Sequence, residues 1–230
     1  MNDPQSRSTV LITGAGRGLR REFARQYARA GWRVIGTVRD DRSEAALAKL
    51  GVEVHRADVS DRRSLARLAA RLKSAPIDVL VCNAGIYGPR GARLGKLDYA
   101  GWEEVLRVNL FGPAATVEAL LENVAASDRK VVVMMSSRLG SISESKGRDY
   151  LYGSSKAALN AIGKAMSVDL APRGITVVSL TPGWVRTDMG GREAPLGPET
   201  SIAGMRKVID GLEASKSGRF FSYDGEAVAW

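Results

Sequence analysis

A tyrosine and a lysine lie four residues apart in the segment Tyr152-Gly153-Ser154-Ser155-Lys156. On a helix, residues i and i+4 share one face, so the phenol and the ammonium group would lie side by side. A phenol has an ordinary pKa of about 10, and a neighbouring positive charge lowers that pKa because it stabilises the phenolate. The spacing therefore predicts a general acid or base at Tyr152, assisted by Lys156. The same spacing occurs on surface helices, where the aliphatic part of a lysine packs against a neighbouring side chain without any catalytic role. A catalytic interpretation of the pair therefore depends on motifs elsewhere in the chain.

A glycine-rich turn near the N-terminus forms a second candidate site. An apolar, β-branched segment at 9–12 leads directly into Thr13-Gly14-Ala15-Gly16-Arg17-Gly18. Apolar residues then recur at helical spacing up to Gly31, where a helix could end. A strand, a glycine turn and a helix in this order bring free backbone N–H groups together at a helix N-terminus, which favours pyrophosphate. The segment therefore predicts a nucleotide-binding site.

Strands and helices alternate along the rest of the chain. After the first strand and its helix, we predict strands at 32–38, 52–57, 78–82, 130–135 and 175–180, with a last edge strand at 220–223. We predict helices at 44–50, at 60–72 with Ser60 as the N-cap, at 103–126 and at 152–171. Alternation of this kind predicts a parallel sheet with helices on both faces. The glycine- and proline-rich segment 182–201 is expected to be a loop, or a loop with a short helix.

Length and composition fit one domain that spans 1–230. Hydrophobic residues make up 44% and charged residues 26% of the chain, which is typical of globular proteins. The polar tail at 1–7 lacks the apolar core of a secretory signal, and no apolar stretch approaches the roughly 20 residues of a membrane span. We therefore expect a cytoplasmic protein with no membrane partner.

Two other classes of site are disfavoured by the composition. Cys82 is the only cysteine and His55 the only histidine, so an internal disulfide and a Cys/His metal cluster are excluded and no metal is expected. The net charge of +9 comes from basic residues dispersed along the chain. This dispersal predicts no nucleic-acid partner, although a basic cleft would attract an anionic cofactor.

Polar residues and glycines follow the predicted strands at their carboxyl ends, where parallel sheets bind their ligands. Turn chemistry could explain any one of them, but it does not explain all six at one edge. They are Gly14 to Gly18, Arg39, Asp58, Asn83-Ala84-Gly85, Ser136-Ser137 and Pro182-Gly183. We therefore expect one site along this edge.

These motifs, in this order and over nearly the whole chain, resemble the short-chain dehydrogenase/reductase (SDR) family. The branch they resemble includes the C-factor-like and sniffer-like carbonyl reductases. The matching residues are Thr13 to Gly18, Asp58-Val59, Asn83-Ala84-Gly85, Asn109, Ser137, Tyr152, Lys156 and Pro182-Gly183. The resemblance implies an α/β fold, a Rossmann-type doubly wound sandwich with a mostly parallel central sheet of about seven strands and helices on both faces. It also implies a homodimer or homotetramer built on the helices at 103–126 and 152–171.

The resemblance also implies a role for each motif. Tyr152 would protonate a carbonyl oxygen as hydride arrives from a nicotinamide, while Lys156 would lower its pKa and bind the nicotinamide ribose. Ser137 would bind the substrate oxygen, with Ser136 as the neighbouring candidate, and Asn109 would hold a water that links Lys156 to solvent. The residues implied to bind the cofactor are Gly14, Gly16, Arg17, Gly18, Leu19, Arg39, Asp58, Val59, Asn83, Ala84, Gly85, Tyr152, Lys156, Pro182, Gly183, Val185 and Thr187.

The charge at the end of the second strand favours one of the two nicotinamide dinucleotides. An acidic residue there would bind the adenosine ribose 2′-OH and repel a 2′-phosphate, but the position holds Arg39. A guanidinium suits a phosphate, and Arg17 in the glycine turn could add a second charge. The sequence therefore predicts NADP(H) as the cofactor of an oxidoreductase that acts on a carbonyl or alcohol substrate.

Arg20 departs from the family motif, which has a third glycine here that lets helix and strand pack closely beside the cofactor. An arginine could weaken cofactor binding or add a phosphate contact, and the sequence leaves both open. Two hypotheses therefore stand side by side. One is an NADP(H)-dependent carbonyl reductase or alcohol dehydrogenase, and the other is a non-catalytic relative that acts in binding or signalling.

The substrate is not fixed by these motifs. The predicted lid at 183–201 and the segment 86–97 are expected to shape the pocket. The candidate pocket residues are mostly apolar, which favours a largely apolar carbonyl or alcohol compound. They are Tyr87, Leu139, Ile142, Trp184 and Met189.

Overall fold

A single seven-stranded sheet forms the centre of the protein, which we describe from a computed structural model over residues 7–73 and 75–230. All six neighbouring strand pairs run parallel, in the order β3-β2-β1-β4-β5-β6-β7. The strands are β1 (Thr9–Ile12), β2 (Arg33–Val38), β3 (Glu53–Arg56), β4 (Val79–Cys82), β5 (Val131–Met135), β6 (Thr176–Thr181) and β7 (Phe220–Ser222). The order reverses at β1, so the carboxyl ends of β1 and β4 flank a crevice where such sheets bind ligands.

Helices cover both faces of the sheet. They are α1 (Gly18–Arg29), α2 (Asp41–Ala48), α3 (Arg62–Leu72), α4 (Tyr99–Leu106), α5 (Gly112–Ala125), α6 (Tyr150–Asp169) and α7 (Pro198–Asp210). A π-helical turn, Arg107–Phe111, joins α4 to α5 without a break. Within residues 7–73 and 75–230, every helix is too short or too polar to cross a membrane.

Alternate residues of each strand face opposite layers of the core, as the pleat of a strand requires. In β1, Val10 and Ile12 face the cluster that contains Phe23 of α1, Leu47 of α2 and Met205 of α7. Leu11 faces the other cluster, with apolar residues of α3, α5 and α6. Strands that are buried on both faces have continuous apolar sequences, as β4 and β5 do, and this pattern predicts them from the sequence. The predicted fold class, with a parallel seven-stranded sheet and helices on both faces, is confirmed.

Three details differ from the sequence-based predictions. Ser60 is not the N-cap of α3: Asp61 is, and its carboxylate accepts from Arg63 N–H at 2.9 Å, while Ser60 hydrogen-bonds to Asp58. The helix predicted at 103–126 begins earlier, at Tyr99, and contains the π turn. Helix α7 was not predicted, because the expected loop with a short helix covers 182–201 and α7 extends to Asp210; its buried residues Ile202, Met205 and Ile209 nevertheless recur at helical spacing. The predicted tail lies outside the described residues, apart from Arg7.

Leu120→Ala tests the α5 layer of the core. Leu120 is fully buried between α5 and the sheet, so its truncation should lower the free energy of unfolding by about 2–5 kcal/mol. The matched control is Leu94→Ala, because Leu94 is 81% exposed and its loss should change stability by less than about 0.5 kcal/mol. Urea unfolding of both variants measures the difference, and equal losses would contradict this packing.

Candidate active site

The glycine turn between β1 and α1 depends on residues without a side chain. Gly14 and Gly18 adopt positive φ angles of 65° and 55°, a conformation that costs other residues free energy. A Cβ on Gly16 would lie 2.5 Å from the side chain of Ser43 on α2. Arg17, at the N-cap of α1, makes no side-chain capping hydrogen bond. The first N–H groups of α1 therefore have no side-chain cap, as an anion site at a helix N-terminus requires.

The Thr13 hydroxyl joins this turn to the segment that follows β4. Its oxygen accepts hydrogen bonds from the N–H groups of Asn83 and Ala84 at 2.9 and 3.0 Å. On the other side of the turn, Thr37 Oγ1 accepts from Gly14 N–H at 3.0 Å. These contacts hold the carboxyl ends of β1, β2 and β4 in register, and they place the glycine turn beside Asn83-Ala84-Gly85.

Two cavities lie along this edge of the sheet. The first, which we call the glycine-turn cavity, has a volume of about 280 Å³. Its lining residues are Gly14, Gly16, Arg17, Arg20, Val38, Arg39, Asp40, Ser43, Ala57, Asp58, Val59, Ala84, Gly85, Ile86 and Val108. Eight of the predicted cofactor-binding residues thus meet in one place.

Charges of both signs line the glycine-turn cavity, but its carboxylates are engaged elsewhere. Asp40 caps α2 by accepting from Ser43 N–H and Oγ–H at 2.9 and 3.0 Å. Asp58 accepts from Ser60; burial acts to raise the pKa of Asp58, but these hydrogen bonds and Arg39 outweigh burial and lower it. The Arg39 side chain is 63% exposed and its Nη1 lies 4.0 Å from Asp58 Oδ2. The cavity therefore offers an accessible guanidinium group to a phosphate.

The second cavity, which we call the tyrosine cavity, has a volume of about 390 Å³. It brings the start of α1 together with the tyrosine and lysine of α6. Its lining residues are Arg17, Gly18, Leu19, Arg20, Asn83, Gly85, Ile86, Tyr87, Gly88, Arg90, Met135, Ser136, Tyr152, Lys156, Pro182, Thr187, Asp188 and Met189.

Tyr152 and Lys156 lie one turn apart on α6, as their spacing predicts. Lys156 Nζ lies 5.6 Å from the centroid of the Tyr152 ring, and it donates a hydrogen bond to Met135 O at 2.7 Å. Only 4% of Lys156 is exposed. The ammonium group is therefore anchored to the end of β5 and lies over the face of the phenol.

The pKa of Tyr152 shifts in the direction opposite to the one expected from its lysine neighbour. Burial raises the pKa of Tyr152 to about 12, and the nearby Ser137 hydroxyl and Arg20 charge oppose this shift only in part. Burial, followed by the charge of Arg20, lowers the pKa of Lys156 to about 7. Desolvation disfavours the charged form of either group, and it is the largest cause of both shifts. The phenol is therefore protonated at neutral pH.

A second tyrosine fixes the Tyr152 ring. Tyr87 stacks on Tyr152 with ring centroids 4.7 Å apart, and its hydroxyl donates to Asp149 at the start of α6. The Arg90 guanidinium lies 4.7 Å from the centroid of Tyr87 and donates to Met189 O at 2.8 Å. Arg90 thereby connects the segment after β4 to the predicted lid.

Asn109 lies in the π turn, fully buried behind the wall of the tyrosine cavity. Its Nδ2 donates to Ile86 O at 2.9 Å and to Ser155 Oγ at 3.0 Å, and its Oδ1 accepts from Ile86 N–H at 2.9 Å. A π turn re-aims side chains relative to a regular helix. Here it turns an amide towards α6, so Asn109 connects that helix to the segment after Gly85.

Several predicted site residues lie outside the two cavities. Ser137 precedes a 3₁₀ turn, with its Oγ accepting from Leu139 N–H at 3.2 Å, and its hydroxyl is close enough to Tyr152 to oppose the rise in the pKa of that phenol. Gly183 and Val185 line neither cavity. Among the predicted pocket residues, Tyr87 and Met189 line the tyrosine cavity. Leu139, Ile142 and Trp184 do not, and they are 48%, 74% and 59% exposed.

Two buried polar atoms of the tyrosine cavity lack a partner. Within residues 7–73 and 75–230, Asn83 Nδ2 and Ser136 Oγ form no hydrogen bond, which is uncommon for buried polar groups. Together with the uncapped start of α1, they fit a polar ligand that spans this edge. Groups of three or more potential metal-ligating side chains are absent from the same part of the chain.

Sequence reasoning expected the segments 86–97 and 183–201 to shape the pocket, but it did not single out some individual residues of the site. Ile86, Arg90 and Asp188 line the tyrosine cavity, and Ser43 closes the other cavity against Gly16. Ile86 directly follows the Asn83-Ala84-Gly85 motif, which was a usable signal. Arg90 and Asp188 lie in irregular segments whose path depends on tertiary contacts, so no spacing rule identifies them.

Comparison with known proteins identifies one family that matches most of the chain. The family described as short chain dehydrogenase matches residues 8–195, which include the glycine turn, Tyr152 and Lys156. The C-signal protein of Myxococcus xanthus is 43% identical over 163 residues, covering 70% of this chain and 98% of the relative.

Solved structures of similar proteins share the whole fold. Carbonyl reductase Sniffer of D. melanogaster superposes with a TM-score of 0.90 at 32% identity, covering 97% of this chain and 100% of that one. The NADPH-bound carbonyl reductase from chicken fatty liver superposes with a TM-score of 0.88 at 30% identity, covering 97% of this chain and 99% of that one.

The lowered pKa of Lys156 should make stability depend on pH. Burial lowers this pKa from 10.5 to about 7, so between these values the unfolded chain binds a proton that the folded chain does not. The contribution of Lys156 to the free energy of unfolding therefore rises with pH from about 7 to about 10, by at most about 1.4 kcal/mol per pH unit. The difference in unfolding free energy between wild type and Lys156→Met should show this slope and flatten below pH about 7.

Urea unfolding at several pH values measures this difference. Lys164→Met is the control, because Lys164 is exposed on the same helix and should give no such slope. A wild-type-to-Lys156→Met difference that stays constant across this pH range would show that the ammonium group is not desolvated.

Proposed function

The chain belongs to the short-chain dehydrogenase family, and on that premise we propose that it is an NADP(H)-dependent oxidoreductase acting on a carbonyl or alcohol substrate. One observation carries the proposal. Tyr152 and Lys156 open onto the same cavity as Gly18 and Leu19 at the uncapped start of α1. A proton donor and a diphosphate-binding helix N-terminus are the two elements that such a reaction requires from the protein.

The glycine-turn cavity would hold the adenosine half of the cofactor. The N–H groups at the start of α1 would bind the diphosphate, and Asn83 Nδ2, which belongs to the tyrosine cavity, would donate to a ribose there. Arg39 and Arg17 would pair with the 2′-phosphate that distinguishes NADP(H) from NAD(H). The similar chicken reductase binds NADPH, which supports this choice. When bound, the dinucleotide supplies or accepts the hydride.

Tyr152 would hold and donate the proton at its phenolic oxygen. Because burial raises its pKa to about 12, the phenol carries a proton at neutral pH and can transfer it to a carbonyl oxygen. Ser137 would donate a hydrogen bond to that oxygen and stabilise its developing charge. The protonated phenol is the form that carbonyl reduction requires, whereas alcohol oxidation would require the phenolate.

Lys156 and Asn109 would serve the proton supply behind Tyr152. The pKa of Lys156, lowered to about 7, allows it to exchange a proton at neutral pH, which suits a relay. Asn109 would support that relay through a water, as the family resemblance implies. Its amide already bridges Ile86 and Ser155, so it also positions the wall of the cavity.

The finer expectations about substrate, assembly and location remain predictions. Tyr87 and Met189 give the tyrosine cavity an apolar side that supports a largely apolar substrate. Phe111 and Val168 are 61% and 63% exposed, on the helices expected to form a homodimer or homotetramer. A cytoplasmic location stays an expectation from the sequence.

A second candidate function is non-catalytic binding or signalling, and Arg20 favours it. Its side chain lines both cavities, where the family motif has a glycine. Titration of the protein with NADPH, followed by fluorescence, separates the two functions. Absence of binding at high micromolar NADPH would rule out the oxidoreductase, whereas saturable binding supports it.

Tyr152→Phe should reduce kcat by about 100-fold to 10,000-fold, the contribution of a general acid. Cofactor affinity should stay close to that of the wild type, because the ring and its stacking on Tyr87 are retained. The control is Tyr150→Phe, since Tyr150 has no lysine four residues later and lies partly exposed at the start of α6. NADPH consumption with a panel of aldehydes, ketones and quinones measures the loss, and substantial residual activity would point to another acid.

Arg39→Gln should weaken NADPH binding about 10-fold to 100-fold, the range expected for loss of a charge-assisted contact to phosphate. NADH affinity should change little, because NADH lacks the 2′-phosphate. Arg42→Gln provides the control, since Arg42 is exposed on α2 and lines neither cavity. The dissociation constants for NADPH and for NADH are measured for the wild type and for each variant. A wild type that prefers NADH would contradict the assignment of NADP(H).

A further inference from the structure

The Arg20 side chain crosses the crevice between the ends of β1 and β4. Its Nη2 donates a hydrogen bond to Gly85 O at 2.6 Å. Its Nη1 lies 3.5 Å from the position that a Cβ on Gly14 would occupy. Gly14 and Gly85 form the floor of the crevice because neither has a side chain. The guanidinium group therefore lies on this floor, between the two strand ends.

Arg20 also marks the place where the two cavities meet. Four residues line both the glycine-turn cavity and the tyrosine cavity: Arg17, Arg20, Gly85 and Ile86. Arg20 and Gly85, which are joined by the hydrogen bond, form a bridge across this boundary. A dinucleotide has to occupy both cavities at once, so it has to pass the point that this bridge closes.

The Arg20–Gly85 bridge is not reinforced by an ion pair. Burial is the largest cause that lowers the pKa of Arg20; the charges of Arg17 and Arg39 act in the same direction, and Tyr152 opposes them in part. Within residues 7–73 and 75–230, no carboxylate lies within 4.0 Å of its guanidinium. Its described hydrogen bond is to the neutral carbonyl of Gly85. Arg20 thus lies near other positive charges, and no carboxylate forms an ion pair that would hold its guanidinium in this position.

The position of Arg20 on the floor separates it from the other two arginines. Arg17 and Arg39 are exposed at the mouth, so a phosphate can meet them without moving them. Arg20 is only partly exposed and contacts the backbone at Gly85, where the two cavities that the dinucleotide would span meet. A role in binding a surface phosphate would not explain why Arg20 is hydrogen-bonded to Gly85 O. Entry of the dinucleotide would break this hydrogen bond.

We propose that Arg20 is a latch that sets the affinity for the cofactor: the dinucleotide binds when the guanidinium leaves Gly85 O and clears the floor. The proposal rests on the proposed function and deepens it. The free energy spent on breaking the Arg20–Gly85 contact is subtracted from the binding of the cofactor, because only the open form accepts it. Arg20 thereby weakens binding without removing the site.

Arg20→Gly and Arg20→Ala test the latch by equilibrium binding of NADPH, read from fluorescence or calorimetry without any substrate. Both variants should bind NADPH about 10-fold to 100-fold more tightly than the wild type, which is the range for loss of a hydrogen bond from a charged donor. Arg21→Gly and Arg21→Ala are matched controls, since Arg21 is exposed on the same turn of α1. They remove the same charge and should change the dissociation constant by less than about twofold.

The variants also separate failure of the latch from failure of the proposed function. If the wild type binds NADPH and the Arg20 variants bind it equally or more weakly, the latch is wrong and the oxidoreductase stands. If the folded wild type and both folded Arg20 variants fail to bind NADPH, both proposals are wrong. Binding by the variants but not by the wild type would support a latch that stays closed, and it would rule out the oxidoreductase for the wild-type protein. Alanine favours the helix, whereas glycine destabilises it. Arg20→Ala therefore still tests the latch if Arg20→Gly folds poorly.

Discussion

The Thr13 hydroxyl is the contact on which the rest of the site depends. By accepting from two consecutive N–H groups after β4, it joins the glycine turn to Asn83-Ala84-Gly85 at the point where the strand order reverses. Asn109 then connects the next residue, Ile86, to Ser155 on α6. These hydrogen bonds, together with the backbone between Ala84 and Ile86, thus connect the end of β1, where the glycine turn begins, to the helix that bears Tyr152. The distance between the diphosphate-binding and proton-donating parts is set by the sheet rather than by flexible loops.

One electrostatic constraint explains several features of the crevice at once. Tyr152, Lys156 and Arg20 all have shifted pKa values, and desolvation is the largest cause for each. The charge of Arg20 adds to the lowering of the Lys156 pKa, and within residues 7–73 and 75–230 neither cation has a carboxylate within 4.0 Å. Such an arrangement disfavours the positive groups in the free protein and would be relieved by an anion. The crevice is therefore complementary to a polyanionic ligand rather than to a neutral one.

The sequence predicted what depends on local patterns, and it missed what depends on tertiary contacts. Strand positions, the parallel order and the residues at the strand ends follow from apolar segments and turn motifs, and the structure brings most of them together. The pKa of Tyr152 could not be predicted, because spacing shows that Lys156 is near but not that it turns to Met135 O or that burial dominates. The sequence identified Arg20 as unusual, but only the fold shows that its guanidinium reaches Gly85 O.

The π turn at Arg107–Phe111 also determines how α4 is rotated about its axis relative to α5. A π turn holds one residue more than an α turn, and each residue rotates a regular helix by about 100°. The turn therefore sets the angular phase of α4 independently of α5, and Asn109 sits at the point where the phase changes. Deletion of a single residue here would rotate the whole of α4 about its axis while leaving α5 on the sheet. The length of this turn, and not only the identity of its asparagine, is thus part of what the site requires.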